Sequence, residues 1–432
     1  MVIVKLSLVA LVFCAGAALS GKKPPSAKEF NLFCRILRVA NDMMVEPDYV
    51  YDENTDRETL KEMEVLYNAT TDNMNDFRRT LWDMKDFLKE HPPPIRLENR
   101  RKAHSEIKKL IIKAEREITE NREIAVEVNK EKDAAKWLVL QGMYGDNVKD
   151  VPREEGAWTD MRNNSENIFV SNTSAAESCG NNSAAGKTIF NDFFCVCVGE
   201  GVEDTEGPCH PGIMAPKRAL KSNKHCYEDA NSDNCTKWTE MKHHSSSIPP
   251  IPLVQAIGKI EQQCRIEIGK EEKVKDIPNL LKEFIELIGV GEAKDGTNAK
   301  NIFGHSGRLE KNGNNNVNQC TGAGITGDKD QPDYHNDRIC VDYTKNLKEG
   351  KTYEIPWHNK LKEAFDKMQE AKKIEDKIFQ NHADILLLKT KAWTAYSIEK
   401  DDETINLDDM NISSIFEGAQ LPPLFPFIFL IP

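Results

Sequence analysis

From Leu60 to Leu88 the apolar positions advance by threes and fours, through Leu60, Met63, Tyr67, Thr70, Met74, Phe77, Leu81, Met84 and Leu88. A stripe that recurs roughly every 3.5 residues stays buried only when its helix wraps around a partner. The pattern predicts a helix over about 57–91, ended by Pro92, Pro93 and Pro94, because proline lacks the backbone donor and clashes with the preceding turn. A second helix, about 97–141, follows at once, with Ala103, Ile107, Leu110, Ala114, Ile118, Ala125 and Val128 on one face. So short a joint makes it the antiparallel mate of the first. About 45 residues at roughly 1.5 Å each reach on the order of 65 Å, more than a compact domain needs. A third long helix, about 357–398, repeats the seam at Leu361, Ala364, Met368, Ala371, Ile378, His382 and Ile385, with Ile374 one place out of step.

Between these arms the pattern changes. Phe30, Phe33, Cys34, Leu37 and Met44 share a face of an early helix, and helices are also expected over 253–269 and 277–288. The rest of about 144–345 is rich in Gly, Asn, Ser and Cys, with short strand-like pieces such as Phe193 to Val198, and the stretch 296–337 reads as an exposed loop. The expected fold is mainly α: an elongated antiparallel coiled-coil bundle with a disulfide-rich, loop-rich head inserted between its arms. One ectodomain over 21–400 accounts for both parts.

The ends of the chain set its compartment. Residues 1–20 carry one charge, Lys5, then an apolar run and the small residues Ala18 and Ser20, the pattern of a secretory signal. Losing Lys5 takes the net charge from -12 to -13, which argues against nucleic acid as a partner. Residues 401–420 form a polar linker, and 421–432 an apolar tail too short to span a bilayer. An apolar end after small residues suits a glycosylphosphatidylinositol signal, with Asn411, Ser413 and Ser414 as attachment candidates. The alternatives are a tail that docks on the protein or an atypical end to the reading frame.

Outside the signal, ten cysteines remain: Cys34, Cys179, Cys195, Cys197, Cys209, Cys226, Cys235, Cys264, Cys320 and Cys340. In an oxidising compartment an even set reads as disulfides, with the pairing left open. Six sequons, at Asn68, Asn163, Asn172, Asn181, Asn234 and Asn411, are candidates for N-glycosylation on a secreted chain.

Catalytic chemistry finds little support. Cys195, Cys197, Cys209, His210, His225 and Cys226 hold the right atoms for zinc, yet their spacing lacks the paired ligand turns of such sites, and disulfides are favoured. Gly322, Gly324 and Gly327 match a dinucleotide fingerprint by letter, but polar residues stand where its strand and helix belong. His382 on the third seam reads as a packed core residue rather than a ligand. No catalytic, cofactor or metal site is expected, and a secreted enzyme built on the loop-rich middle would need a nucleophile, base and orienter that the sequence does not supply.

Several elements in their order resemble the variant surface glycoproteins of African trypanosomes, most closely the B-type amino-terminal domains. They are Phe33-Cys34-Arg35, the proline-broken helical hairpin, Phe194-Cys195-Val196-Cys197, Trp238, Cys264, Cys320 and Ile339-Cys340-Val341-Asp342-Tyr343, within about 30–398. The chain departs from many members in carrying no cysteine after Cys340. The resemblance implies a lipid-anchored, homodimeric helical-bundle coat protein on the outer leaflet of the plasma membrane, exposing variable loops to host antibodies. The second possibility is a receptor on the same scaffold that binds a host serum protein, of the transferrin or haptoglobin-haemoglobin type.

Overall fold

The computed structural model describes residues 24, 26–73, 84–152, 155–180, 185–199, 208–213, 238–241, 251–269, 276–290, 301–304, 320, 322, 339–349 and 352–397. Among them the fold is mainly α. The helices are α1 Ala27–Val45, α2 Glu53–Ala69, α3 Lys85–Glu90, α4 Leu97–Tyr144, α5 Glu155–Asn163, α6 Ser165–Ile168, α7 Ala175–Cys179, α8 Ile189–Cys197, α9 Leu253–Ile268, α10 Ile277–Leu287 and α11 Pro356–Tyr396. Two short strands, β1 Ile302–Phe303 and β2 Val341–Asp342, pair antiparallel with Ile302 opposite Asp342 and Phe303 opposite Val341. The chain divides into two compact units, one of residues 1–44 and 137–363, the other of 45–136 and 364–432.

In the unit of residues 45–136 and 364–432, α2, α4 and α11 supply one apolar core. Leu60, Met63, Leu66 and Ala69 of α2 meet Ala103, Ile107, Leu110, Ala114 and Ile118 of α4 and Ile385, Leu388, Ala392 and Ala395 of α11. The polar contacts fix the directions. Glu131 pairs with Lys367 and Glu120 with Lys377, so α4 and α11 run antiparallel; Glu53 of α2 reaches Arg122 of α4, while Tyr67 stacks on His104 at 3.9 Å.

The single helix expected over 57–91 is corrected. α2 stops at Ala69 and residues 71–73 are not helical; residues 74–83, with the seam positions Met74, Phe77 and Leu81, lie outside the described residues, and the next described helix is the short α3. At the stop the Thr70 hydroxyl bonds the Leu66 and Tyr67 carbonyls at 3.1 and 2.9 Å, and the polar, poor helix formers Thr71, Asp72 and Asn73 offer little to continue the helix. The α2 core stripe accordingly runs through Leu66, with Tyr67 only partly buried beside it. α3 packs Phe87 against Trp393, and the Tyr396 hydroxyl donates to the His91 carbonyl at 2.8 Å just before the prolines.

A polar strap precedes α2. The Tyr49 backbone N–H donates to Asn129 Oδ1 at 2.7 Å, Asn129 Nδ2 donates back to the Tyr49 carbonyl at 3.0 Å, and Lys132 and Lys136 reach the Pro47 carbonyl and Asp48. These bonds hold residues 46–52 along α4, together with Tyr49 and Tyr51, which pack against the cluster of Ile124, Ala125 and Val128.

The unit of residues 1–44 and 137–363 is built on aromatic rings. Phe33 of α1 lies 5.4 Å from Phe193 of α8 and 5.5 Å from Phe303 of β1, while Phe284 of α10 lies 4.4 Å from Phe303 and 4.8 Å from Trp357 at the start of α11. Arg35 of α1 grips Glu283 of α10 through its two terminal guanidinium nitrogens, at 2.5 and 3.1 Å. Phe193 to Val198, expected as strand, is corrected to helix through Cys197. Thr188 caps α8 by accepting from the Asn191 N–H, and every residue from Ile189 to Cys197 is buried, so no polar face remains to reveal the helical period.

Met63 has no exposed surface in the three-helix core. Met63→Ala should cost about 2–5 kcal/mol in urea unfolding followed by far-UV circular dichroism. Val126→Lys, at a position 69% exposed on α4, should stay within about 0.5 kcal/mol of the parent.

Candidate functional site

Eight of the eleven cysteines lie among the described residues, and all eight are in disulfides. Cys34 of α1 joins Cys264 of α9 across 230 residues; Cys179 of α7 joins Cys195 of α8; Cys197 joins Cys209; and Cys320 joins Cys340. Cys195 and Cys197 sit two residues apart on α8, so their side chains leave different faces and take different partners. Cys226 and Cys235 lie outside the described residues. Among the described disulfides the Cys34–Cys264 link closes by far the longest loop, and chain entropy gives such a closure about 5 kcal/mol.

The same unit encloses a carboxylate. Asp192 on α8 is fully buried and accepts four hydrogen bonds: from the Tyr343 hydroxyl at 2.5 Å, Trp357 Nε1 at 2.7 Å, Asn191 Nδ2 at 3.0 Å and the Gly186 N–H at 3.0 Å. Burial pushes its pKa up to about 6, against the pull of those donors toward the ionised form. The Tyr343 hydroxyl is raised well above its ordinary value, by its own burial and then by the Asp192 charge. Gly186 is fixed by this arrangement. Its φ is +86°, a Cβ there would come 2.6 Å from Ile355 Cγ2, and its carbonyl accepts from the Trp357 N–H. The network holds α8, the segment after β2 and the start of α11 together, with the carboxylate fully buried among them.

A second buried carboxylate organises the three-helix core of the other unit. Asp56 of α2 has no exposed surface and accepts from the Tyr51 hydroxyl at 2.5 Å, from Asn121 Nδ2 of α4 at 3.4 Å, and from His382 Nδ1 of α11. Asn381 Nδ2 then donates to Asn121 Oδ1 at 2.8 Å. Burial pushes the Asp56 carboxyl up, but the His382 and Tyr51 hydrogen bonds and the His382 charge outweigh it and leave the pKa below its ordinary value. Its neighbour Glu53 is held down to about 2 by Arg122 first and Arg57 second. His382 is thus corrected from packed core to half-exposed ion-pair partner: the seam position is filled by a ring whose Nδ1 faces a buried acid.

Neither carboxylate was singled out by the sequence. Asp192 could have been suspected from its place in an otherwise apolar run, and Asp56 from a charge one turn before the Leu60 seam, but their donors stand up to 165 and 326 residues away.

The sequons scatter. Asn68 is exposed in the last turn of α2, while its partner Thr70 is buried; Asn163 is exposed at the end of α5; Asn172 is half-buried. Asn181, Asn234, Asn411, Ser413 and Ser414 lie outside the described residues, as do residues 1–20 and 401–432. Among the described residues no group of three or more His, Cys, Asp or Glu could hold a metal ion, and no helix is long and apolar enough to cross a membrane.

Asp192→Asn turns one acceptor oxygen into a donor amide facing donors, and should cost about 1–3 kcal/mol in urea unfolding at neutral pH. The raised carboxyl also sets a sign. Ionisation in the unfolded chain begins near its ordinary value, so this group's stabilisation is complete below about 4 and is lost as pH rises to about 6. The slope of stability against pH in that window should flatten in Asp192→Asn.

No curated protein matches the chain. A family model described as the trypanosomal VSG domain matches residues 53–385, a span that takes in α2 through most of α11, both buried carboxylates and every cysteine except Cys14 and Cys34. That match covers more than half of the sequence, and the chain belongs to the trypanosomal VSG domain family, a family of structural proteins of the cell-surface coat.

Proposed function

We propose that this protein is a variant surface glycoprotein that reaches the cell surface through the secretory route and coats the plasma membrane as a homodimer held by a glycosylphosphatidylinositol anchor. In this reading the coat shields the membrane, and changes in its exposed residues let the parasite evade host antibodies. The observation that carries it is the family match across residues 53–385.

The chemistry of the fold supports such variation. What specifies each unit is buried: an apolar stripe that tolerates substitution at constant volume, four disulfides among the described residues, and two carboxylates with their donors. Solvent-facing residues are free of those demands, so antigenic change need not disturb the scaffold. Exposed Asn68 and Asn163 are the most accessible described sequons, and sugars there would cover surface that antibodies otherwise reach.

Mass spectrometry of the mature protein from its own cells, combined with a count of surface copies, tests this proposal. The expected result is an amino terminus at Gly21, a lipid on Asn411, Ser413 or Ser414, glycans at Asn68 or Asn163, and a copy number that dominates the surface. A scarce protein that recovers one stoichiometric host serum protein in a pull-down would overturn it in favour of a receptor.

A further inference from the structure

Asp56 and His382 meet in an unusual setting. The carboxylate is sealed, with 1% of its side chain exposed, whereas 37% of the imidazole is exposed, so a proton on the ring exchanges with solvent while the acid cannot rehydrate. Three elements converge on that acid: the strap through Tyr51, α4 through Asn121 and α11 through His382. Losing the His382 charge therefore weakens the tie of one element and leaves a buried anion with neutral donors alone.

We propose that the Asp56–His382 pair is a proton-operated clamp that fastens the strap and the first turns of α2 to α11 in mild acid and slackens as the imidazolium gives its proton to solvent. Nδ1 can keep its hydrogen in the neutral ring, so the geometry survives deprotonation and only the charge-assisted part of the bond is lost. The surrounding charges favour the closed form. From the strap, Asp52 adds a second negative charge toward the ring. From α2, Glu53 is already neutralised by Arg57 and by Arg122 of α4. On α11, Lys389 is engaged by Glu62, and Glu375 acts on the Tyr49 hydroxyl; Asn121 and Asn381 carry no charge. His382 is accordingly raised above its ordinary value, by the Asp56 hydrogen bond first and its charge afterwards, with burial opposing.

The sign follows. A histidine whose folded pKa is raised gives its full stabilisation below about 6.5, and that stabilisation is lost as pH rises through the folded value. Each unit of that rise is about tenfold in the equilibrium between fastened and slack forms. A surface protein meets mild acid when it is internalised, and there this clamp closes.

Hydrogen–deuterium exchange of the full chain from pH 5.5 to 8.5, corrected for intrinsic exchange, reads the clamp in residues 49–60, and nuclear magnetic resonance reads the His382 titration. Protection of residues 49–60 should fall roughly five- to tenfold across that range, with the His382 midpoint above 6.5. His382→Gln should make the profile flat, and His382→Lys, charged throughout, should keep protection high at pH 8.5. A wild-type profile that matches His382→Gln, or a His382 midpoint at or below 6.5 in the folded parent, overturns the proposal. The parent titration stands even if a variant fails to fold.

Discussion

A buried carboxylate accepts only the arrangement that surrounds it with donors, and this constraint decides the packing of both units. Asp192 is sealed under Tyr343, Trp357, Asn191 and Gly186, and Asp56 under Tyr51, Asn121 and His382. Apolar seams alone would let helices slide by a turn at modest cost. A misplaced register around either acid would instead strand a charge in a medium that cannot solvate it, at a cost of several kcal/mol. The Asn121–Asn381 pair works in the same way between α4 and α11, since an amide in an apolar layer is satisfied only opposite its mate.

The two units solve the problem of cohesion by different means. One uses long helices with a continuous apolar stripe, and needs no covalent links among its described residues. The other has short helices and two two-residue strands, whose local contacts are too few to hold them; aromatic rings and disulfides replace the missing length. A coat protein benefits from that division, because surface residues of either unit can change while the stripe, the cysteines and the two acids remain.

Much of this was legible in the chain. The stripes of α4 and α11 predicted buried positions such as Ile107, Ala114, Ile378 and Ile385, because a helical period survives wherever one face meets solvent. It failed where that contrast vanished. α8 is buried on every side, so Phe193 to Val198 looked like strand, and the seam ran on past Thr70 because the helix-poor Thr71, Asp72 and Asn73 fall between seam positions and leave the hydrophobic pattern intact. His382 fitted the seam by spacing, and only Asp56 on another helix turned it into an ion pair.

The sequence by itself determined what depends on near neighbours: the long helices, their apolar faces, the proline break, and the cysteine set that belongs to an oxidising compartment. Tertiary structure alone decided what depends on residues far apart in the chain. Cys34 finds Cys264 across 230 positions, Trp357 reaches back to Asp192, and His382 to Asp56. No periodicity encodes such meetings, since they exist only once packed helices carry those groups into the same dry volume and leave them no water to bond instead.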